Sequence, residues 1–382
     1  MVIVADENIP LLDSFFDEIG AIRRVSGREL TAAEVRDADV LLVRSVTQVD
    51  EALLRGSRVK FVGTATIGTD HVDQRWLQEQ GIRFACAPGC NANSVVEYVL
   101  SVLSLHAERL DIKDWTDLSV GIVGAGNVGG ALWRTLSRLG ITVRVCDPFR
   151  ESEEDSDDFG SLDQALGCDV VSLHTPLTHT GGHPTYHMLD RQRLAGMNEN
   201  QLLINTSRGE VIDCDALLDR LQASHAPTVV LDVWEHEPEI NPRLAQGVWL
   251  ATPHIAGYSL EGKVQGTEVI YQALSRFLGL PARKQSGQFL PEPPLSKLAF
   301  TRSAQARDAA DTAIRACYDP RRDDARLRRT LRLPAEERGA AFDRLRRDYP
   351  VRREFSSVKI QLKGTSRSLQ DQFRVLGFKL KL

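Results

Sequence analysis

Three side chains in the middle of the chain belong to types that move protons and bind carboxylates. Arg208 follows the apolar run QLLINTS, Glu237 lies in the loop after TVVLDVW, and His254 comes just after VWLAT. Histidine, with an unperturbed pKa of about 6.5, exchanges protons near neutral pH. A neighbouring carboxylate orients its ring, and arginine offers paired donors to a carboxylate. These three residue types suit the oxidation of a 2-hydroxy acid, in which hydride leaves C2 while a base removes the hydroxyl proton.

Each of these three residues also has a purely structural interpretation. Arg208 could form a surface salt bridge, Glu237 could be a solvated loop charge, and His254 could be a packed loop histidine. We favour the functional interpretation because the three residues follow successive strands of a predicted parallel sheet, whose carboxyl ends share one edge. We expect His236, beside Glu237, to face solvent, and no comparable grouping surrounds the remaining histidines: His71, His106, His174, His179, His183, His187 and His225.

A glycine-rich segment, GAGNVG, follows the apolar run SVGIV and opens an amphipathic stretch. Gly124 permits a tight turn, Gly126 lets backbone amides approach a pyrophosphate, and Gly129 lets helix and strand pack closely. The phosphates would then lie at the positive end of the helix, next to Asn127 and Val128. The pattern predicts a dinucleotide site; the alternative is a glycine-rich turn in an unrelated α/β protein.

Asp147 ends the run ITVRVCD, eighteen residues beyond Gly129. A carboxylate there accepts hydrogen bonds from both ribose hydroxyls and repels a 2′-phosphate, which predicts NAD rather than NADP. Thr175 and Pro176 follow the run VVSLH, where we expect a turn that passes close to the cofactor.

Apolar runs alternate with helical or loop segments along the first 260 residues, which predicts parallel sheets flanked by helices. Six runs form the predicted dinucleotide-binding sheet: SVGIVGAG, ITVRVCD, DVVSLHTP, QLLINTS, TVVLDVW and VWLATPH. Four earlier runs predict a second sheet: VIVAD, DVLLVRS, VKFVGTAT and GIRFACAPG. A mostly buried helix over about 93–109 connects them. Ser45 and Thr66 end two of the earlier runs and are candidate ligand contacts, with helix capping or turn hydrogen bonding as the alternative.

Charge divides the chain of 382 residues into two parts. Residues 291–382 carry 22 Lys and Arg and 12 Asp and Glu, a net charge of +10, whereas the first 290 carry 25 and 40, a net charge of −15. The proline-rich segment 281–294 looks like a linker, and the basic region beyond it has helical composition followed by one predicted strand, SSVKIQLKG. A separate carboxy-terminal module is therefore expected.

The sequence offers no sign of a membrane span, a signal peptide or a metal site. No run approaches the roughly 18 apolar residues that a span needs, and the first residues, MVIVADENIP, lack a basic region. The six cysteines are scattered without paired spacing, and Cys86 and Cys90 have no partner pair to complete a zinc set. We expect a cytoplasmic protein with reduced thiols.

These motifs resemble the D-2-hydroxyacid dehydrogenase family. The resemblance spans nearly the whole chain and rests on Asp147 and five segments: GAGNVG, HTPLT, INTSRGEVID, DVWEHEP and TPHIAG. It implies NAD-dependent oxidation of a small phosphorylated 2-hydroxy acid, with His254 as acid/base, Glu237 orienting it and Arg208 binding the carboxylate. The implied cofactor contacts are Gly124, Gly126, Asn127, Val128, Gly129, Asp147, Thr175, Thr206, Ser207, Arg208, Asp232 and Gly257. The implied substrate contacts are Ser45, Thr66 and Tyr258, and no metal is implied.

The resemblance also implies three domains of an α/β fold. A flavodoxin-like substrate-binding domain covers 1–93 and is completed by 257–280, and a Rossmann-type doubly wound NAD domain covers 94–256. After the linker 281–294, a smaller α+β domain at 295–382 mediates homodimerisation. A buried substrate phosphate needs a cation; Arg44 is the local candidate, and Arg346 or Arg347 reaching the partner subunit's site is a second hypothesis.

Three alternatives compete with this interpretation. One is a dehydrogenase for another phosphorylated acid such as 3-phosphoglycerate, although the tail opens with a long helical stretch rather than a βαββαβ pattern. Another is a non-catalytic protein that senses NAD, against which the complete set of Arg208, Glu237 and His254 argues. The third is a nucleic-acid module in the basic tail, but its arginines alternate with acidic residues, which is more typical of solvated or intersubunit helix faces.

Overall fold

The computed structural model describes residues 1–112, 114–154 and 156–381; Lys113, Asp155 and Leu382 lie outside these ranges. The strands are β1 (Val2–Asp6), β2 (Ala21–Val25), β3 (Val40–Val43), β4 (Phe61–Thr64), β5 (Arg83–Ala85), β6 (Val120–Val123), β7 (Val143–Cys146), β8 (Val170–Leu173), β9 (Leu202–Asn205), β10 (Thr228–Leu231), β11 (Leu250–Ala251), β12 (Lys297–Thr301), β13 (Lys359–Lys363) and β14 (Lys379–Lys381).

The α-helices are α1 (Leu12–Phe16), α2 (Ala32–Val35), α3 (Glu51–Leu54), α4 (Gln74–Glu79), α5 (Ala92–Leu110), α6 (Asn127–Arg138), α7 (Leu162–Leu166), α8 (Arg191–Gly196), α9 (Cys214–Gln222), α10 (Pro242–Gly247), α11 (Leu260–Phe277), α12 (Ala306–Cys317), α13 (Arg321–Thr330), α14 (Ala335–Arg347) and α15 (Arg367–Val375). Short 3₁₀ helices occupy Trp115–Asp117, Gly209–Val211, Ser286–Gln288 and Phe355–Ser357.

The chain divides into two compact units, and the first comprises residues 1–92 and 258–292. Its described strands form a five-stranded parallel sheet in the order β2-β1-β3-β4-β5. Successive side chains of β1 point to opposite faces: Ile3 and Ala5 join an apolar cluster with α1 and α11, while Val4 joins a second cluster on the other face. Helices therefore cover both faces, which explains why the central strands are apolar throughout.

The second unit comprises residues 93–257 and 293–382 and contains a six-stranded parallel sheet, counted over the described residues, in the order β11-β10-β9-β8-β6-β7. The chain starts at β6, runs outward to β7, and then returns to β8 on the other side of β6. Ligands of such sheets bind at the carboxyl ends of the strands where the order reverses. Here that point is the end of β6, directly before the glycine segment.

The carboxy-terminal part of the second unit carries a small sheet and packs against the larger one. Strands β12, β13 and β14 are parallel, with β13 in the centre. Leu327 and Leu331 of the α13 region and Phe342 of α14 belong to the same apolar cluster as Leu231 and Trp234 of the six-stranded sheet and its loops. Helices α13 and α14 are thus part of the core beneath the ends of β10 and β11.

The expected α/β architecture with a Rossmann-type sheet is confirmed, but the strand count differs in two places. The sequence predicts four strands in the first sheet, and the described residues form five, because β2 pairs with β1 at the edge. It predicts one strand in the tail, and β12 and β14 flank that strand on either side. Among the described residues, no helix is long and apolar enough to cross a membrane. The three-domain division stays a prediction.

Candidate active site

The glycine segment forms a close turn between β6 and α6. Gly124 has a φ of +90°, and a Cβ there would lie 2.9 Å from the carbonyl of His174 and the amide nitrogen of Thr175. A Cβ on Gly129 would lie 1.8 Å from the carbonyl oxygen of Gly124. Gly126, by contrast, caps α6 with no atom within 4 Å of its would-be Cβ. Two glycines therefore permit packing, and the third leaves the helix N-terminus open, as a pyrophosphate requires.

Asp147 follows β7 and is bonded to the same turn. Its Oδ2 accepts the backbone N–H of Ala125 at 2.7 Å, and its Oδ1 accepts those of Phe149 and Arg150 at 3.1 and 3.2 Å. The carboxylate is fixed beside the glycine turn, where the adenosine ribose of a dinucleotide would lie. Its role as a contact of the ribose stays a prediction.

A buried threonine hydroxyl supports the fit of a dinucleotide. Among the described residues, Oγ1 of Thr175 is buried without a hydrogen-bond partner, and its amide borders Gly124. The neighbouring His174 bonds Ser172 through Nε2 at 2.8 Å and Thr206 through Nδ1 at 3.3 Å, and burial lowers the pKa of His174 to about 3. A neutral histidine thus connects the turns after β8 and β9.

The turn that carries Arg208 is built by the side chain of Asn205 at the end of β9. Asn205 Oδ1 accepts the N–H and hydroxyl of Ser207 at 3.0 and 2.8 Å, while Nδ2 donates to the carbonyl of Arg208 at 2.9 Å. A Cβ on Gly209 would lie 1.9 Å from the carbonyl carbon of Trp234. The loops after β9 and β10 are therefore in backbone contact, which brings Arg208 towards the segment that leads to Glu237.

Glu237 and His254 form a hydrogen-bonded pair. Nδ1 of His254 lies 2.8 Å from Oε2 of Glu237, and Oε1 of Glu237 accepts the N–H of Trp234 at 2.9 Å. Burial alone would raise the pKa of Glu237, but the charge and hydrogen bond of His254, the charge of Arg346 and the Trp234 amide outweigh it and lower the pKa. Glu237 thus remains a carboxylate that orients the ring through Nδ1.

Asp232 holds the segment around His254 in place. This carboxylate is 1% exposed; Oδ1 accepts the Thr252 hydroxyl at 2.6 Å and the Ile255 amide at 2.9 Å, and Oδ2 accepts the Ala256 amide at 2.9 Å. The carbonyl of Asp232 also accepts the N–H of His254 at 2.7 Å. His254 has a φ of +55°, a conformation that costs about 1 kcal/mol or more outside glycine and that these bonds offset. The interpretation of Asp232 as a cofactor contact stays a prediction; the structure shows it as the anchor of His254.

In the first unit, two cationic side chains converge on Tyr258. Nη2 of Arg44 lies 3.4 Å from the phenol oxygen, and Nζ of Lys263 lies 4.3 Å from the ring centroid. Ser45, which follows Arg44, is exposed. Thr66 bonds Thr64 at 2.8 Å, and Thr64 in turn bonds Nε2 of His71 at 3.0 Å.

Three of these residues, Lys263, His71 and Gly209, were not predicted from the sequence. Only Lys263 has a sequence feature that could have indicated a function. Lys263 lies in the first turn of α11, where the positive end of the helix disfavours a lysine, so its presence points to a function. His71 could not be connected to Thr66 without knowing that both follow β4. Gly209 carries no local sign that it faces Trp234. His236 is exposed, as expected.

Comparison with known proteins gives a family for this geometry. Residues 100–256 match the model of the D-isomer specific 2-hydroxyacid dehydrogenase NAD-binding domain, and residues 289–377 match a domain of unknown function. The chain is 69% identical to erythronate-4-phosphate dehydrogenase of Marinobacter nauticus over the full length of both proteins. It is 53% identical to that of Hahella chejuensis over 100% of this chain and 99% of the relative. The chain belongs to the erythronate-4-phosphate dehydrogenase family of D-2-hydroxyacid dehydrogenases.

Solved structures of more distant proteins share the fold. The NAD- and lactate-bound D-lactate dehydrogenase of Aquifex aeolicus superposes with a TM-score of 0.58 at 24% identity, covering 73% of this chain and 96% of that one. The NAD-bound 3-phosphoglycerate dehydrogenase of Entamoeba histolytica gives 0.60 at 24% identity, covering 76% and 99%. Membership of the erythronate-4-phosphate dehydrogenase family confirms the predicted class, an NAD-dependent oxidoreductase.

Proposed function

We propose that this protein oxidises 4-phospho-D-erythronate to 3-hydroxy-2-oxo-4-phosphooxybutanoate with NAD, a step of pyridoxal 5′-phosphate (vitamin B6) biosynthesis. The observation that carries the chemistry is the His254–Glu237 pair, joined at 2.8 Å at the carboxyl edge of the Rossmann sheet. The observation that favours this substrate is 69% identity over the full length of a relative that bears the corresponding name.

The proposed roles follow from the atoms that each side chain presents. NAD bound at the glycine turn supplies the hydride acceptor. With Nδ1 engaged by Glu237, the other ring nitrogen of His254, Nε2, takes the proton of the C2 hydroxyl while hydride leaves C2. Arg208 binds the C1 carboxylate through its guanidinium. Glu237 keeps the ring in one orientation and stabilises the positive charge that the ring gains.

The substrate phosphate needs positive charge, and the cluster of Arg44, Tyr258 and Lys263 supplies it in the first unit. Arginine and lysine side chains bind phosphate well, arginine through paired donors and lysine as a compact charge. We assign phosphate binding to this cluster and hydroxyl contacts to Ser45 and Thr66. Lys263 is an addition to the substrate contacts that the sequence predicts.

We further propose that the protein is a cytoplasmic homodimer formed through residues 295–382. The support is the family resemblance, which implies dimerisation through this segment, and the arginines interspersed with acidic residues in its sequence, a pattern typical of intersubunit helix faces. Light scattering coupled to gel filtration measures the mass directly; a particle of 42.4 kDa, the mass of one chain, contradicts the dimer.

Substrate choice is tested by following NADH formation with the purified protein. We expect 4-phosphoerythronate to give a kcat/KM at least tenfold above that of 3-phosphoglycerate or D-lactate. A preference for either of the other acids rejects the assigned substrate. Tight NAD binding without turnover of any of them would favour an NAD sensor instead.

A further inference from the structure

The carboxy-terminal part of the chain contacts the polypeptide on both sides of His254. Strand β11 is the edge of the six-stranded sheet and pairs with β10 through two residues. On its open side, the N–H of Ala251 donates to Oδ1 of Asp324 in α13 at 2.8 Å. A carboxylate thus takes the place of a missing neighbouring strand, three residues before His254.

Arg328 extends this contact along the approach to β11. Its Nε donates to both oxygens of Asp324 at 2.9 Å, and its terminal nitrogens donate to the carbonyls of Ala245, Val248 and Trp249 at 3.0, 2.9 and 3.3 Å. One guanidinium therefore satisfies carbonyls at the end of α10 while it also fixes Asp324. The segment that enters β11 is held by α13.

Arg352 holds the chain on the other side of His254. This side chain is 5% exposed; Nη1 donates to the carbonyl of Ala256 at 3.0 Å and Nη2 to that of Ser94 at 2.7 Å. Its guanidinium lies 3.8 Å from the ring centroid of Tyr318. A buried charge with these partners is costly to displace, so the position of Ala256, two residues beyond His254, is defined by the tail.

Helix α14 contacts the loop that carries Glu237. A Cβ on Gly339 would lie 2.7 Å from Oε1 of Glu239 and 3.6 Å from Cγ of Pro238, so the helix surface touches the two residues after Glu237. About two turns further on, Arg346 is half-buried, and its charge acts on Glu237. Arg346 thus lies near the acid–base pair of its own chain, whereas the sequence suggested a role in the partner subunit's site.

We propose that residues 320–355 position the His254–Glu237 pair of their own subunit, with Asp324, Arg346 and Arg352 as positioning residues. This assigns a role to the segment that matches a domain of unknown function, and the role is separate from dimerisation. It rests on the proposed function only in treating His254 and Glu237 as the acid–base pair.

Kinetics of three variants test the proposal. Asp324→Ala, Arg346→Met and Arg352→Met should each lower kcat about tenfold or more, while the Kd for NAD and the KM for NAD change less than threefold. Asp324→Asn should recover most of the rate because its amide oxygen still accepts the Ala251 N–H, and Arg346→Lys should recover part of it because the charge remains.

The chain offers matched controls in α15. Asp371 and Arg374 form an exposed ion pair at 2.6 Å in the same carboxy-terminal segment, so Asp371→Ala and Arg374→Met should retain the wild-type kcat. The proposal is overturned if Asp324→Ala and Arg346→Met are folded and fully active. It is also overturned if kcat and NAD affinity fall together in the Asn and Lys variants, since that is general destabilisation. If Arg352→Met fails to fold, the other two variants decide.

A spectroscopic measurement separates this proposal from the proposed function. In protein labelled with ¹⁵N-histidine, the His254 signals are identified by their loss in His254→Asn. Asp324→Ala and Arg346→Met should shift these signals, and Asp371→Ala should leave them unchanged. If the wild-type protein does not oxidise 4-phosphoerythronate but the shifts occur, the substrate assignment fails and the positioning role stands. Unchanged signals in both variants reject the positioning role whatever the activity.

Discussion

The two large parallel sheets end in different kinds of polar groups. The six-stranded sheet ends in ionisable side chains that are held by hydrogen bonds. Glu237 bonds the His254 ring, and Asp232 bonds the backbone next to His254. The five-stranded sheet ends in Ser45, Thr66 and cations that gather around Tyr258. Proton transfer requires a donor and an acceptor held to a fraction of an ångström, whereas binding an anion requires positive charge and hydroxyl donors. The five-stranded sheet thus carries groups suited to binding an anion, and the six-stranded sheet carries the pair suited to proton transfer.

The groups that hold these side chains in place also differ between the two sheets, being charged in one and neutral in the other. His254 is held by the buried carboxylate of Asp232, whose pKa is raised by burial, an effect that the charge of His254 partly opposes. Thr66 is held by neutral groups, the Thr64 hydroxyl and the His71 ring. Substitutions of the reactive pair, Glu237 and His254, should therefore change kcat, and substitutions of the cations around Tyr258 should change KM.

The strongest test of this contrast is His254→Asn. Asparagine tolerates the left-handed backbone of this position, so the substitution removes the acid/base with little disturbance of the fold. General acid–base catalysis contributes about 10²–10⁴-fold, and kcat should fall by that factor while the Kd for NAD is unchanged. Single-turnover NADH formation and NAD titration measure the two quantities. A residual rate within tenfold of wild type would remove His254 from the acid/base role.

Glu237→Gln should have a smaller effect on the same constant. The amide oxygen can still accept the Trp234 N–H, but the charge that stabilises the protonated ring is lost. We expect kcat at pH 8 to fall about 10–100-fold, corresponding to roughly 1.4–2.8 kcal/mol, with KM for the substrate within threefold. Asp219→Asn, which loses an exposed ion pair with Arg191 in the same unit, is the control. If KM rises while kcat holds, Glu237 belongs with the binding groups and the contrast between the sheets is wrong.

The sequence predicts the site where each residue follows a recognisable strand. Glu237 and His254 are seventeen residues apart, yet they meet because α10 and β11 between them form one crossover of the sheet. The glycine turn and Asp147 are recognisable for the same reason: the contacts join neighbouring elements of a βαβ unit. Periodicity and strand-end position were enough for these residues.

The rest of the site depends on contacts that local patterns do not encode. Gly209 meets Trp234 across two loops, and Asp324 meets Ala251 from 73 positions away. Strand β2, with the sequence AIRRV, has an exposed edge and two arginines, so it lacks the apolar run that marks the central strands. Nothing in the basic composition of the tail shows that Leu327 and Phe342 complete the core beneath β10.

Arg44→Met tests the binding side of the contrast. Losing one cation at Tyr258 should raise KM for 4-phosphoerythronate about tenfold, or roughly 1.4 kcal/mol, with kcat within twofold. Unphosphorylated erythronate should show no such change, because only the phosphate is affected. Arg24→Met, which breaks an exposed ion pair with Asp13 in the same unit, is the control. Equal KM changes for both acids would remove Arg44 from phosphate binding.

The smallest expected effect concerns stability in the unit that carries the reactive pair. Burial, and to a lesser degree the charge of Arg109, lowers the pKa of His106 in α5 to about 4, compared with about 6.5 in the unfolded chain. Because the folded pKa is the lower one, the stability that neutral His106 contributes is complete above pH 6.5 and is lost as the pH falls towards 4. By pH 6 the loss of stability should be on the order of 1 kcal/mol.

Urea unfolding at pH 7.5 and pH 6 measures the free energy of unfolding at each pH. The wild type and His225→Asn, which replaces an exposed histidine, should both lose this stability at pH 6, whereas His106→Leu should not. If His106→Leu loses the same stability, the acid sensitivity of this unit has another source.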